Sequence, residues 1–166
     1  LTDLDLFLPK KGGGRIVLGD PIRISDQCIG LSGHSGMPSS VVARGKKVHV
    51  AWGEATDPKA KVPGLPAFVA TYDRETRRLG KPGLVGHGAP ANDIHNTPSI
   101  TIDSKGYLHV ISGTHGTTFP YARSLLPNDA GGGWTKPEFV GDGLRQTYVG
   151  LVCGPDDTLH LAFRLW

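Results

Sequence analysis

The sequence predicts an all-β protein, and three observations carry that reading. Glycine and proline are frequent for the length, 24 and 13 of 166 residues. The apolar runs between them are short, as brief strands broken by tight turns would make them. One hairpin pattern also recurs three times along the chain. The length suits a single domain with a core of ordinary size.

The recurring pattern takes each element in order. It reads "MPSSVVARGKKVHVAWG" at 37–53, "TPSITIDSKGYLHVISG" at 97–113 and "YVGLVCGPDDTLHLAFR" at 148–164. In each, a short strand meets a turn and returns as a second strand carrying a histidine between apolar residues. Those anchors are His49, His109 and His160, spaced by 60 and then 51 residues. After the first hairpin, "PAFVATYDRET" and "RLGKPGLVG" read as third and fourth strands; after the second, "TTFPYARSL" and "WTKPEFVG" do the same. Four-stranded units of ~40–50 residues are β-propeller blades. The chain is therefore divided as one partial propeller domain over 1–166. Residues 1–30 end a preceding blade, 31–90 and 91–142 are full blades, and 143–166 are the first two strands of the next. Propellers close with ~4–8 blades, so about two full blades plus partial ones make an incomplete piece. The remaining blades are expected from further parts of the same chain or from other chains. "NDAGGGWTKP" also has the look of a degenerate Asp-box, with Asp129, Gly131 and Trp134 in order; it is read as a turn ornament without catalytic weight.

Composition excludes several roles. No run of ~18 apolar residues exists, so no membrane span is expected. The opening "LTDLDLFLPKKGGG" lacks the basic start and apolar centre of a signal peptide. The net charge is +3 and the isoelectric point about 9.0. The basic residues are dispersed, with "RGKK" and "RETRR" the densest groups, and no basic stripe with interleaved aromatics marks a nucleic-acid partner. Mild basicity suits an acidic polysaccharide instead. Cys28 and Cys153 are far apart and in no CxxC pairing, which leaves one disulfide and two thiols equally open.

Hairpin geometry singles out four side chains. With the second turn centred on Lys105 and Gly106 at positive φ, residues equally distant from Lys105 face each other. His95 and His115 lie ten residues to either side and should meet at the open end of the hairpin. With the third turn centred on Asp156, Tyr148 and Arg164 should face each other at the same end of the next hairpin. In the first hairpin, centred on Gly45, the facing pair is Ser35 with Ala55, with His34 nearby. Loops at one rim form a propeller's binding surface, so the four polar residues are the candidate site. His49, His109 and His160, by contrast, read as satisfied structural histidines. A zinc site at the rim is disfavoured because Asp93 is the single further ligand in reach.

"NDIHNTPSITIDSKGYLHVISGTHG", followed by "FPYARS" and "QTYVGLVCGPDDTLHLAFR", resembles the BNR-4 repeat family of β-propellers, and within it the ulvan lyases. The resemblance rests on His-Asn-x-Pro, Gly-x-His-Gly, and a Tyr followed sixteen residues later by Arg. It implies a seven-bladed propeller and a polysaccharide lyase whose catalytic residues are His95, His115, Tyr148 and Arg164. Asn96, placed by its adjacency to His95 alone, joins Arg123 and Arg145 as the expected substrate-binding set. The resemblance implies no cofactor for catalysis and no catalytic metal, while a structural metal ion stays open. The substrate class implies a secreted or periplasmic location.

The four residues suit β-elimination from a uronate. Arg164 would neutralise the carboxylate beside C5 through charge-assisted hydrogen bonds. His95 and Tyr148 would divide the two proton transfers, since imidazole serves as acid or base near neutral pH, and Arg164 would stabilise a phenolate. His115 would hold the carboxylate or orient His95. Two rival readings stand beside this one. A sialidase-like glycoside hydrolase would need acidic partners, yet Glu54, Glu75 and Glu138 fall away from the expected rim. A non-catalytic carbohydrate-binding propeller would use the same rim for recognition alone.

Overall fold

The computed structural model describes residues 2–29 and 39–165. His34 and Ser35, and with them the expected Ser35–Ala55 pair, lie outside the described residues. Among the described residues there is no helix, and hence none long and apolar enough to cross a membrane. The all-β expectation holds.

The chain opens with β1 (Thr2–Leu6), an exposed hairpin of β2 (Pro9–Gly12) and β3 (Arg15–Leu18), and β4 (Ile22–Ile29). Next come β5 (Val41–Arg44), β6 (Lys47–Glu54), β7 (Leu65–Asp73), the short β8 (Arg78–Leu79) and β9 (Gly83–Gly88). The second repeat supplies β10 (Ser99–Ile102), β11 (Leu108–Ile111), β12 (His115–Thr117), β13 (Phe119–Leu126), β14 (Asp129–Trp134) and β15 (Glu138–Val140). The last hairpin is β16 (Gln146–Cys153) and β17 (Leu159–Leu165).

These strands form antiparallel sheets that follow the repeats. β5, β6, β7 and β9 make the first unit, with β8 beside β9 on the edge of β7. β10, β11 and β13 make the second, with β14 and β15 both on β13. β12, β16 and β17 form the third. β4, expected to end a preceding blade, hydrogen-bonds to the far end of β6 through Cys28–Glu54 and Ile29–Gly53, and carries β1 on its other edge.

Burial shows how the sheets stack. β6 is buried on both faces, unlike a strand with one wet side. Val48, Val50 and Trp52 point to a cluster with Leu4, Leu6, Ile24 and Tyr72, whereas Ala51 points to the opposite face. There it joins Val69, Val85, Ile100, Leu108 and Val110, between the first and second units. Ile111, Phe119, Val149 and Leu151 fill the next layer, between the second and third sheets. Each fully buried side chain of this size stabilises the fold by about 1.5–3 kcal/mol. Cys28 and Cys153 are not joined by a disulfide.

Hydroxyls stitch sheet to sheet. Thr71 Oγ1 accepts Ala130 N–H at 3.0 Å, Ser99 Oγ accepts Leu151 N–H at 3.0 Å, and Thr101 Oγ1 accepts Cys153 N–H at 3.0 Å. At the turns, Asp157 receives Ser104 N–H at 2.7 Å and Ser104 Oγ–H at 2.6 Å. Those two bonds hold the Asp157 carboxyl below its ordinary range.

The turns agree with expectation in two cases and depart in one, and the third hairpin loses its register further along. The second hairpin pairs Ser99–Ile111 and Thr101–His109 about Lys105, with Gly106 at φ +90°. The first pairs Val42–His49 and Arg44–Lys47, so its turn holds two residues, Gly45 and Lys46, and the register is one residue off the expected one. The third pairs Gly150–Ala162 and Cys153–Leu159 about Asp156 as expected, then shifts between Thr147 and Gly150.

The anchor histidines divide as well. His109 is buried, with Nδ1 bonded to the Tyr121 hydroxyl at 2.7 Å and Nε2 to Asp103 at 3.2 Å. His49 is fully buried with Nδ1 at 2.9 Å from Thr71 Oγ1, but Nε2 has no partner. His160 is exposed, because no described element covers the outer face of β17.

Candidate functional site

The loop from β9 to β10 fixes its polar side chains in place. Asn92 has φ +57°, a left-handed conformation in which Asn is enriched. Its amide ties the loop to the first unit, accepting Thr56 N–H at 2.8 Å and donating to Thr56 O at 2.9 Å. Asp93 follows, and its Oδ1 accepts His95 N–H at 2.9 Å in an Asx turn. Asn96 N–H closes the turn on Asp93 O at 3.1 Å.

Gly113 brings His115 to this loop. A Cβ at Gly113 would lie 2.5 Å from both the carbonyl carbon of Asn96 and Thr97 O, so only glycine lets the chain pass. The chain then leaves the second unit: His115 N–H donates to Ala89 O at 2.8 Å, and β12 pairs with β16 through His115–Thr147. His95 and His115 do meet, but through a strand that has crossed to the third sheet rather than across one extended hairpin.

The third sheet presents the other two residues by a bulge. The register shift in β16 puts Thr147, not Tyr148, opposite Arg164. Tyr148 takes φ +57°, a conformation costing on the order of 1 kcal/mol or more for such a residue. A bulge re-aims the side chain it carries. The Arg164 guanidinium sits over the Tyr148 ring, 4.5 Å from its centroid. The pair expected across the strands is thus a cation–π stack.

The four side chains form a continuous cluster. The His95 and His115 rings are 4.3 Å apart, and His95 and Tyr148 are 5.6 Å apart, centroid to centroid. Beneath the histidines lies Asp93, with Oδ1 at 2.5 Å from His95 Nδ1 and Oδ2 at 2.7 Å from His115 Nδ1. All three side chains are about one-fifth exposed. Burial works to raise the Asp93 carboxyl, but hydrogen bonds from the His95 backbone and both imidazoles outweigh it and hold the group below its ordinary value.

Asp93, His95 and His115 each offer one ligand atom, all within 4.8 Å of one another. Zinc bonds of ~2.0–2.1 Å require tetrahedral ligand edges of roughly 3.3 Å. The nitrogen–oxygen distances here are hydrogen-bond lengths, so the trio fits an imidazole–carboxylate–imidazole bridge better than a cation shell.

The substrate-binding set is scattered. Arg145 is exposed beside the cluster, with Nε 3.5 Å from Gly116 O. Asn96 is 1% exposed, and its amide nitrogen donates to Pro90 O; it braces the loop and does not face a ligand. Arg123 pairs across from His109 and stacks 4.6 Å over the Tyr107 ring, at the turn end of the hairpin and away from the histidines. An open groove of about 610 Å³ runs along β12, lined by His87, Ala89, Thr114, Thr117 and Phe139. None of the four cluster residues lines it.

Sequence reasoning weighed Asp93 only as a further metal ligand in reach of the histidines. The signal available was its spacing, since Asp two residues before His places the carboxylate on the His backbone in an Asx turn. The bulge at Tyr148 left no comparable mark.

A search of curated proteins gave no match. The sequence does match the BNR repeat-containing family over residues 66–165, a span holding the whole cluster. The repeats of that family are those of β-propeller-type, carbohydrate-related proteins. With more than half of its length matched, this chain belongs to the BNR repeat-containing family.

Proposed function

We propose that this protein is a polysaccharide lyase that cleaves a uronate-containing chain, ulvan-like and sulfated, by β-elimination, and that it works as part of a seven-bladed propeller outside the cytoplasm. The observation that carries the reading is the unbroken contact from His115 through His95 and Tyr148 to Arg164, between the β9–β10 loop and the third sheet. Those are the residue types that elimination needs. A base removes the C5 proton, the C–H electron pair becomes the C4–C5 double bond, the C4–O bond breaks, and an acid protonates the departing oxygen. The His95 and Tyr148 rings, 5.6 Å apart centroid to centroid, would divide those transfers. Arg164 would accept the uronate carboxylate as charge develops on it. Arg145 at the rim adds a second cation for the anionic chain.

Hydrolysis is the weaker reading. Among the described residues Asp93 is the carboxylate bonded to the histidine pair, and both its oxygens are engaged there. Glu54 is likewise held, by Trp52 at 2.9 Å and Ser25 at 3.0 Å.

The test is ultraviolet absorbance during incubation with ulvan, then with other uronate polysaccharides. Elimination leaves a double bond conjugated to the carboxylate, which hydrolysis does not. An absorbance rise lost in His95→Ala supports the lyase. Binding without any rise on every polysaccharide would leave a glycan-binding propeller.

A further inference from the structure

A carboxylate has two acceptor oxygens and no proton to give. Asp93 Oδ1 faces His95 Nδ1 and Oδ2 faces His115 Nδ1, at 2.5 and 2.7 Å. Both contacts are hydrogen bonds only if each Nδ1 carries the hydrogen. In a neutral imidazole the lone pair then belongs to Nε2, across the ring from Asp93. The carboxylate is itself anchored. Its Oδ1 also takes the His95 backbone N–H at 2.9 Å, and the preceding residue, Asn92, is tied to Thr56 by two hydrogen bonds.

We propose that Asp93 is the positioning residue of this cluster, bridging His95 and His115 so that both are held in the Nδ1–H form with the basic lone pair on Nε2. His95 is then oriented by Asp93 and not by His115. The consequence for catalysis rests on the lyase reading, but the protonation pattern does not. Carboxylates behind metal-bound histidines fix ring tautomers in the same way, and their loss costs roughly 10–100-fold.

Asparagine separates the two bonds. In Asp93→Asn the amide oxygen can keep the Oδ1 role, where two donors converge, and its NH₂ then faces His115 Nδ1. A donor at that point forces His115 into the Nε2–H form while His95 is unchanged. The asymmetry follows from the backbone N–H that only Oδ1 receives.

The experiment is imidazole ¹⁵N NMR on the folded protein, with His95→Gln and His115→Gln assigning the signals. Wild type should show both rings protonated at Nδ1, and Asp93→Asn should switch His115 alone. On uronate polysaccharide, Asp93→Asn should lose about 10–100-fold in kcat with KM nearly unchanged, and Asp93→Glu should recover part of it. Wild-type rings protonated at Nε2, or tautomers unmoved in Asp93→Asn, would overturn the proposal. So would a zinc-dependent rise in unfolding temperature that Asp93→Asn abolishes, because the trio would then be a ligand set. Absence of turnover in wild type would sink the lyase reading, while the NMR result would still decide the role of Asp93.

Discussion

His109 and His95 each hydrogen-bond a nearby aspartate, yet the two arrangements differ. His109 is enclosed, with one ring nitrogen on Tyr121 and the other on Asp103. Its network closes on itself and holds the turn. In the rim pair, one carboxylate serves two rings through the same atom of each, and both rings sit about one-fifth exposed at the seam between two sheets. His109 spends both ring nitrogens on the hairpin, whereas His95 and His115 share one carboxylate through Nδ1. The distinction lies in the partners, not in the residue type.

The largest expected effect falls on the rim. His95→Ala and Arg164→Ala should each lower turnover by about 10²–10⁴-fold while shifting unfolding free energy by no more than about 1 kcal/mol. Steady-state absorbance assays and urea unfolding on the same preparations check this. A variant that unfolds instead would place its residue with His109. At the anchor the pattern should reverse: His109→Ala leaves Asp103 and Tyr121 without their partner in the interior and should cost about 2–4 kcal/mol in urea unfolding.

His49 extends the comparison to pH. Burial, followed by the nearby Lys47 charge, lowers its pKa from 6.5 to about 4. Between those values the unfolded chain takes up a proton that the folded one refuses, so stability falls as pH drops from 6.5 to 4 and levels off below. The loss should be on the order of 2–3 kcal/mol, and His49→Gln should flatten the slope over that window. A wild-type stability that does not change there would show that the orphaned Nε2 has solvent access. The smallest effect belongs to Arg123→Ala. Its stack on Tyr107 is worth about 0.5–1 kcal/mol, and KM should stay within about twofold, since Arg123 lies at the far end of the hairpin.

Much of this was legible in the sequence because hairpins obey arithmetic. Once Lys105 was placed at the centre of its turn, the pairing from Ser99 to Ile111 followed, and the third hairpin agreed down to Gly150. The all-β class and the main strands of each repeat followed from turn residues and alternation in the same way. β14, whose residues read as a turn ornament, and β12, which crosses to the third sheet, did not. What arithmetic cannot register is a local insertion. The two-residue turn at Gly45 shifted the first hairpin by one, and the bulge at Tyr148 broke the facing rule just where the site begins. Asn96 misled for another reason: adjacency in sequence to His95 says nothing about which way a side chain turns, and this one turns inward to Pro90.

The hydroxyls of Ser99 and Thr101 act as indexing pins. Each seizes one backbone N–H of β16, at Leu151 and Cys153, and so sets where the third sheet stops sliding along the second. His95 is carried by one sheet's approach loop and Tyr148 by the other sheet. The spacing between them is therefore machined from a distance, by side chains that touch neither. Reacting groups tolerate little misplacement, with about 1 Å costing as much as 10²-fold. Loosening one pin would detune the rim while leaving every rim residue intact.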